Sequence, residues 1–233
     1  MDDFNFNFPS TLVLGMQAEF CFEEYLKRSP FFELLASNIQ IQGENETLGE
    51  LDYIVLNKST QLISHIELAC KFYLFDANIS APQEAKWIGP NRKDSLFDKL
   101  EKIRLKQFPM IRKPETIQTL QAHNVEIPTE QELCLKAFLF IPKSIEVQDF
   151  PTNYQECIVG RWMNLIDFEK EDPLAQYAIP SKKEWLLPVD KIESWHSFSE
   201  IHSMVSEQLE IKKSPLLYKK TKYGLERLFV VWW

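Results

Sequence analysis

Two apolar runs joined by four turn residues constrain this chain more than any other feature in it. Leu51, Tyr53 and Val55 alternate with Asp52, Ile54 and Leu56. Asn57-Lys58-Ser59-Thr60 follows, and a second run extends from Gln61 to Phe75. Alternation at a period of two, with a turn-rich joint, predicts a hairpin of two long antiparallel strands. Successive side chains of a strand point to opposite sides, so Ile63, His65, Glu67, Ala69, Lys71 and Tyr73 share one face of the second run. Ile66, Leu68, Cys70, Phe72 and Leu74 share the other, which is wholly apolar and is expected to pack under helices.

The surrounding pattern is that of an α/β protein. Leu12, Met16, Phe20 and Tyr25 recur at helical spacing, with Ser10 or Thr11 as a suitable N-cap and an end near Ser29-Pro30. Phe31 to Ala36 reads as a short second helical segment, and Asn38 to Gln42 alternates as a strand does. Trp87 to Asn91 reads as a loop. A helix then starts at Asp94 or Ser95, with Leu96, Leu100, Ile103 and Gln107 or Phe108 on one stripe and Lys99, Lys102, Arg104 and Lys106 off it. Leu133 to Ile141 suits a buried parallel strand ended by Pro142. Beyond Phe150 we expect a strand at Glu156 to Ile166, a Trp-containing segment at Lys183 to Val189, a helix at Ser199 to Ile211 and a last strand at Arg227 to Trp233. The expected division is a core over residues 1–150 and a C-terminal α+β subdomain or elaboration over 151–233.

With 45% hydrophobic and 13% aromatic residues, the 233-residue chain can bury a sizeable core, which excludes disorder. The apolar stretch from Phe8 to Phe22 is broken by Pro9, Gln17 and Glu19 and has no basic region before it, so neither a signal peptide nor a membrane span is expected, and the location is cytoplasmic by default. Cys21, Cys70, Cys134 and Cys157 are far apart in apolar surroundings and read as buried reduced thiols. A net charge of -8 argues against a protein that coats nucleic acid indiscriminately, because such binding relies on a basic surface to neutralise phosphates.

Four polar residues stand where an apolar pattern does not need them: Glu19, Asp52, Glu67 and Lys71. Neighbouring strands lie about 5 Å apart, so carboxylates on adjacent strands can converge on one hard cation. An acid flanked by long apolar runs is also costly to bury without a partner.

Glu19 followed by Tyr25-Leu26, then Asn38-Ile39-Gln40, then Gly49-Glu50-Leu51-Asp52-Tyr53-Ile54, then the strand holding Glu67 and Lys71, resembles the order of motifs in the PD-(D/E)XK nuclease-like superfamily. Over most of its length the chain also resembles a bacterial family named domain of unknown function 1853, grouped with that superfamily. The resemblance implies a restriction-endonuclease-like mixed sheet flanked by helices. It further implies Asp52 and Glu67 as ligands of Mg²⁺ (or Mn²⁺), a lysine that positions the attacking water, Glu19 as a supporting helix carboxylate, and Gln107 near the rim of the site. One departure matters. The superfamily places lysine two residues after the glutamate, whereas Lys71 stands four after Glu67 with Ala69 between, which separates the Cα atoms by about 13 Å instead of about 7 Å. Lys71 is either the matched lysine, with Ala69 marking a lost carboxylate, or a residue leaning back along its stem.

His65 lies on the Glu67 face and reads more simply as structural than as a ligand. Arg92 to Lys113 holds eight basic and three acidic residues, a candidate local surface for tracking phosphates or an ordinary solvated helix face. Two main readings follow: a Mg²⁺-dependent nuclease acting on DNA or RNA, and a binding or interaction protein that keeps the fold without turnover. A metal-dependent enzyme on a small phosphorylated substrate is a third.

Overall fold

The structure is a computed structural model that describes residues 12–233, so the expected caps Ser10 and Thr11 lie outside the described residues. Its elements, in chain order, begin with helix α1 (Leu14–Arg28) and strands β1 (Phe32–Gln42), β2 (Thr47–Asn57), β3 (Ile63–Phe75) and β4 (Trp87–Ile88). Helix α2 (Leu96–Lys102) continues through a π-turn (Ile103–Gln107) into α3 (Phe108–Met110), and α4 (Pro114–Ala122) follows. Then come β5 (Glu130–Pro142), α5 (Thr152–Gln155), β6 (Ile158–Asn164), α6 (Leu165–Phe168), β7 (Gln176–Ala178), α7 (Phe198–Glu210), β8 (Leu216–Thr221) and β9 (Gly224–Val231). The chain divides into two compact units, each discontinuous in sequence: Lys99–Lys136 joins the chain up to Cys70, and Lys71–Asp98 joins Ala137–Trp233.

The first unit is built on β1, β2 and β3, paired antiparallel. Asn57 makes the expected hairpin turn by accepting the backbone N–H groups of Ser59 and Thr60 on its side-chain oxygen, at 3.0 and 3.2 Å. Phe31 to Ala36, expected to be helical, is extended instead. Its Leu, Ala and Glu residues favour a helix locally, but Phe32, Glu33 and Leu34 pair with Asn57, Leu56 and Val55, and that tertiary ladder overrides the propensity. Helix α1 is preceded by Val13, which caps no backbone N–H through its side chain. It covers one face of the sheet, where Leu26, Tyr53, Val55 and Ile66 form a buried cluster edged by Phe22 and Leu68. The Tyr53 hydroxyl donates to the Glu19 carbonyl at 3.0 Å and ties the helix to β2. A second cluster packs Ile39, Ile41, Leu51 and Ile54 against Met110, Ile111 and Leu120 from the α3 and α4 segment.

The second unit carries a mixed sheet in which β5, β6 and β9 run parallel and β9, β8 and β7 follow antiparallel. The expected parallel role of the strand before Pro142 is met by the pairing of Leu139–Pro142 with Ile158–Trp162. Three expectations need correction here, and the Trp-containing segment expected at Lys183 to Val189 takes its form. Trp87-Ile88, expected in a loop, pairs with the end of β3. The strand expected to reach Ile166 stops at Asn164, because the Asn164 side chain accepts the Asp167 N–H at 2.9 Å and starts a helix at Leu165. Between Lys182 and Lys191 the backbone forms two short 3-10 turns. The last strand starts earlier and ends earlier than expected, at Gly224 and Val231, because it is the second arm of a hairpin with β8.

Helix α7 matches its expected span within a residue and is opened by Ser197, which accepts the Glu200 N–H while Glu200 reaches back to the Ser197 N–H. Its apolar face supplies Ile201 and Val205 to a core with Met163, Phe168, Tyr177 and Leu217. The four cysteines are free thiols, half-buried and not fully enclosed. No helix among the described residues is long and apolar enough to cross a membrane.

Candidate functional site

The β2–β3 register places the two carboxylates. Tyr53 stands opposite Ile66 and Ile54 opposite His65; continued by one residue, the same register sets Asp52 opposite Glu67. Directly opposed residues of an antiparallel pair point to the same face. Tyr53 and Ile66 face α1, so Asp52 and Glu67 lie on the side of the sheet away from that helix, where the π-turn after α2 supplies Gln107.

Glu67 is fully buried. Its Oε2 accepts a hydrogen bond from the Gln107 side-chain amide. Its Oε1 has no hydrogen-bond partner, although His65 Nε2 lies 3.1 Å away, because the imidazole is not aligned to donate. His65 is itself wholly buried, edge-on to Phe108. A buried carboxylate oxygen without a donor is costly, and a cation is one of the few groups that removes the cost.

Asp52 is partly buried, and its Oδ2 accepts the Leu68 N–H at 2.8 Å. Burial first, and then the Glu67 charge, push its pKa up to about 6. The Leu68 N–H and the Lys99 ammonium work in the opposite direction without cancelling them. The raised value is that of a carboxylate kept beside another acid with too little positive charge to offset it.

Lys99, on α2, donates from Nζ to Gln107 Oε1 at 3.3 Å. A chain of contacts therefore runs from Lys99 through the Gln107 amide to Glu67, with Asp52 within reach of the Lys99 charge. Glu19 is exposed; partial burial and Glu50 raise its pKa, and its carboxylate is a minor influence on Asp52. Lys71, further along β3, is engaged with Asp94 at 2.8 Å.

The structure thus brings together Asp52, Glu67 and Gln107, leaves Glu19 at the exposed margin, and pairs Lys71 with Asp94. Sequence reasoning set Lys99 aside as a residue off the helix stripe. Its signal was Gln107, the polar residue that continues the stripe of Leu96, Leu100 and Ile103 and needs a partner at each end of its amide. A cleft of about 290 Å³ lined by Ile111, Arg112, Ile127 and Gln131 contains neither carboxylate, so concavity alone does not find this pair.

Within the expected basic surface, Lys102, Arg104, Lys106, Arg112 and Lys113 are exposed, and Arg104 pairs with Glu101 at 2.7 Å. Among the described residues no group of three or more His, Cys, Asp or Glu side chains is arranged to hold a metal ion. No curated protein and no solved structure matches the chain. A family model does match, over residues 5–231, nearly the whole length; the chain belongs to the family described as Domain of unknown function (DUF1853).

Proposed function

We propose that this protein is a metal-dependent phosphodiesterase of nuclease type, with a restriction-endonuclease-like core, in which Asp52 and Glu67 hold Mg²⁺ or Mn²⁺. The observation that carries the reading is the fully buried Glu67, whose Oε1 lacks a donor, set by strand register opposite an Asp52 of raised pKa. A fully buried acid opposite a partly buried one has no packing value of its own, and a carboxylate of raised pKa is often found where charge is used. Two protein carboxylates suit Mg²⁺, which is ordinarily bound through one or two of them and retains several waters.

Asp52 and Glu67 would hold the ion, which when bound supplies Lewis-acid stabilisation of phosphate charge and lowers the pKa of water. The protein's own residues do the rest. Gln107 fixes the Glu67 carboxylate through one oxygen and leaves the other free to ligate. The Leu68 N–H fixes Asp52 in the same way. The exposed Lys and Arg side chains between Lys102 and Lys113 offer the phosphate contacts that a nucleic-acid substrate needs, on a chain whose overall charge is -8.

A second reading, a nuclease-fold binding protein without turnover, is favoured by the pairing of Lys71 with Asp94, which commits the strand lysine to a carboxylate. Incubation of the parent and of Asp52→Asn and Glu67→Gln with single- and double-stranded DNA and RNA, with Mg²⁺, Mn²⁺ or EDTA, separates the two. Metal-dependent cleavage by the parent, lost at least a hundredfold in both variants, is expected, since removing a metal ligand removes most of the charge stabilisation. Metal-dependent binding of nucleic acid without cleavage would give the second reading its place.

A further inference from the structure

We propose that Lys99, on α2, is the ammonium that serves the Asp52–Glu67 pair, acting as a positioning residue through the Gln107 amide, and that Lys71 is not. The inference rests on the carboxylate site proposed above and names the lysine that it uses. A glutamine amide has a donor end and an acceptor end, and the two look alike in shape. Near a carboxylate only the NH₂ end is tolerable, so something must hold the oxygen end away. Lys99 does this: its Nζ donates to Gln107 Oε1 at 3.3 Å, which turns Nε2 toward Glu67 Oε2. The same ammonium also works to lower the pKa of Asp52.

Lys71 was the candidate expected from the strand motif. Its ammonium instead lies 2.8 Å from Asp94 Oδ2, a pair in which both groups are partly exposed. A lysine held by its own carboxylate has little charge to lend elsewhere. Lys99 sits eight residues before Gln107, and the π-turn between them belongs to the segment that presents Gln107 to the sheet. The ammonium that serves the pair therefore comes from the helix and not from the strand.

The test compares Lys99→Met, Lys99→Arg, Lys99→Glu and Lys71→Met in the full chain. On the metal-free protein, thermal melting of Lys99→Met, Asp52→Asn and the double variant forms a cycle. Lys99→Met should lower Tm by about 4 °C in the parent and by less than half of that beside Asp52→Asn, because the charge it neutralises has gone. Lys71→Met and Asp52→Asn should be additive. With Mn²⁺ present, Lys99→Met should retain metal binding but lose about 10- to 100-fold in kcat with KM within about threefold, the range seen when a partner of a ligand is removed. Lys99→Arg should recover a large part of kcat, and Lys99→Glu should lose the most, because it attracts the wrong end of the amide.

An additive cycle for Lys99, or a kcat loss in Lys71→Met that Lys99→Met does not share, would overturn the proposal. If the parent neither binds metal nor cleaves, the nuclease reading falls by itself. The melting cycle still decides Lys99 in that case, with coupling in its favour and additivity against it.

Discussion

Asp52 carries two opposed demands: to serve as a ligand it must be ionised, yet burial and the Glu67 charge push its pKa up to about 6. The sign of the consequence for stability follows from linkage. A carboxyl whose folded-state pKa is raised contributes stability that is fully present below its unfolded value and is lost as pH climbs through about 6. Metal-free Asp52→Asn should therefore be more stable than the parent at pH 7, by about 1–2 kcal/mol once screening of a partly exposed group is allowed for. It should lose less stability than the parent between pH 4 and pH 7. Urea melts of both proteins across that range are the check, and a variant less stable than the parent at pH 7 would show that the acid pair is not strained. Of the site, Asp52 and Glu67 were readable in the sequence because acids within long apolar runs stand out. Lys99 was not, since its role depends on which end of the Gln107 amide meets Glu67, a fact of side-chain packing and not of spacing.

Among the elements, the β2–β3 hairpin was legible because three signals agreed: alternation on both arms, a turn-rich joint opened by Asn57, and polar residues of matching parity. Its register follows from the turn, where Asn57 accepts from Ser59 and Thr60. β1 was half missed, since Glu33, Leu34, Leu35 and Ala36 read locally as helix and only pairing with β2 makes them a strand. β7 and β8 were missed because three residues, in one case, and a run ending in Lys219-Lys220-Thr221, in the other, carry too little pattern. Two substitutions test the element boundaries. Ser197→Ala removes the cap of α7 and should cost about 1 kcal/mol, read from the urea midpoint. Gly160→Ala should cost more, about 2–4 kcal/mol, because a Cβ there would lie 2.4 Å from the Arg227 carbonyl oxygen on β9 and 2.6 Å from the Phe140 ring on β5. If Gly160→Ala melts like the parent, the parallel strands are not packed as described.

At the scale of the whole molecule, the two units carry opposite pH signatures. In the second unit, burial alone would raise the pKa of Glu171, but hydrogen bonds and charge from Lys143 and Lys219 outweigh it and hold the carboxyl below its ordinary range. A depressed carboxylate contributes stability that is present above its unfolded pKa and lost as pH falls through the folded one, the reverse of Asp52. Hydrogen exchange followed from pH 7 down to about pH 2 should therefore show protection around β7 and β8 falling only below about pH 4.5, while the β2–β3 hairpin holds or gains between pH 7 and that point, after correction for intrinsic exchange rates. Glu171→Gln should remove that fall at a cost of about 2–4 kcal/mol, because Lys219 is left almost buried with only the Glu226 carboxylate, 4.0 Å away, as an anion. The family model spans both units, from residue 5 to residue 231, so the second unit is as much a part of the family as the one that holds the carboxylates.

The claim on which the rest depends is that Asp52 and Glu67 hold one divalent cation, and thermal melting against Mn²⁺ tests it without any substrate. The parent should gain several degrees in Tm as Mn²⁺ rises from micromolar to millimolar, because an ion that binds only the folded state stabilises it in proportion to the logarithm of its concentration. Asp52→Asn and Glu67→Gln should show no such gain while melting, metal-free, at or above the temperature of the metal-free parent. For Glu67→Gln the fold is kept because the new amide can still offer its oxygen to the Gln107 NH₂, which already flanks it. A parent whose Tm does not move with Mn²⁺, or a gain of the same size in all three proteins, would contradict the claim.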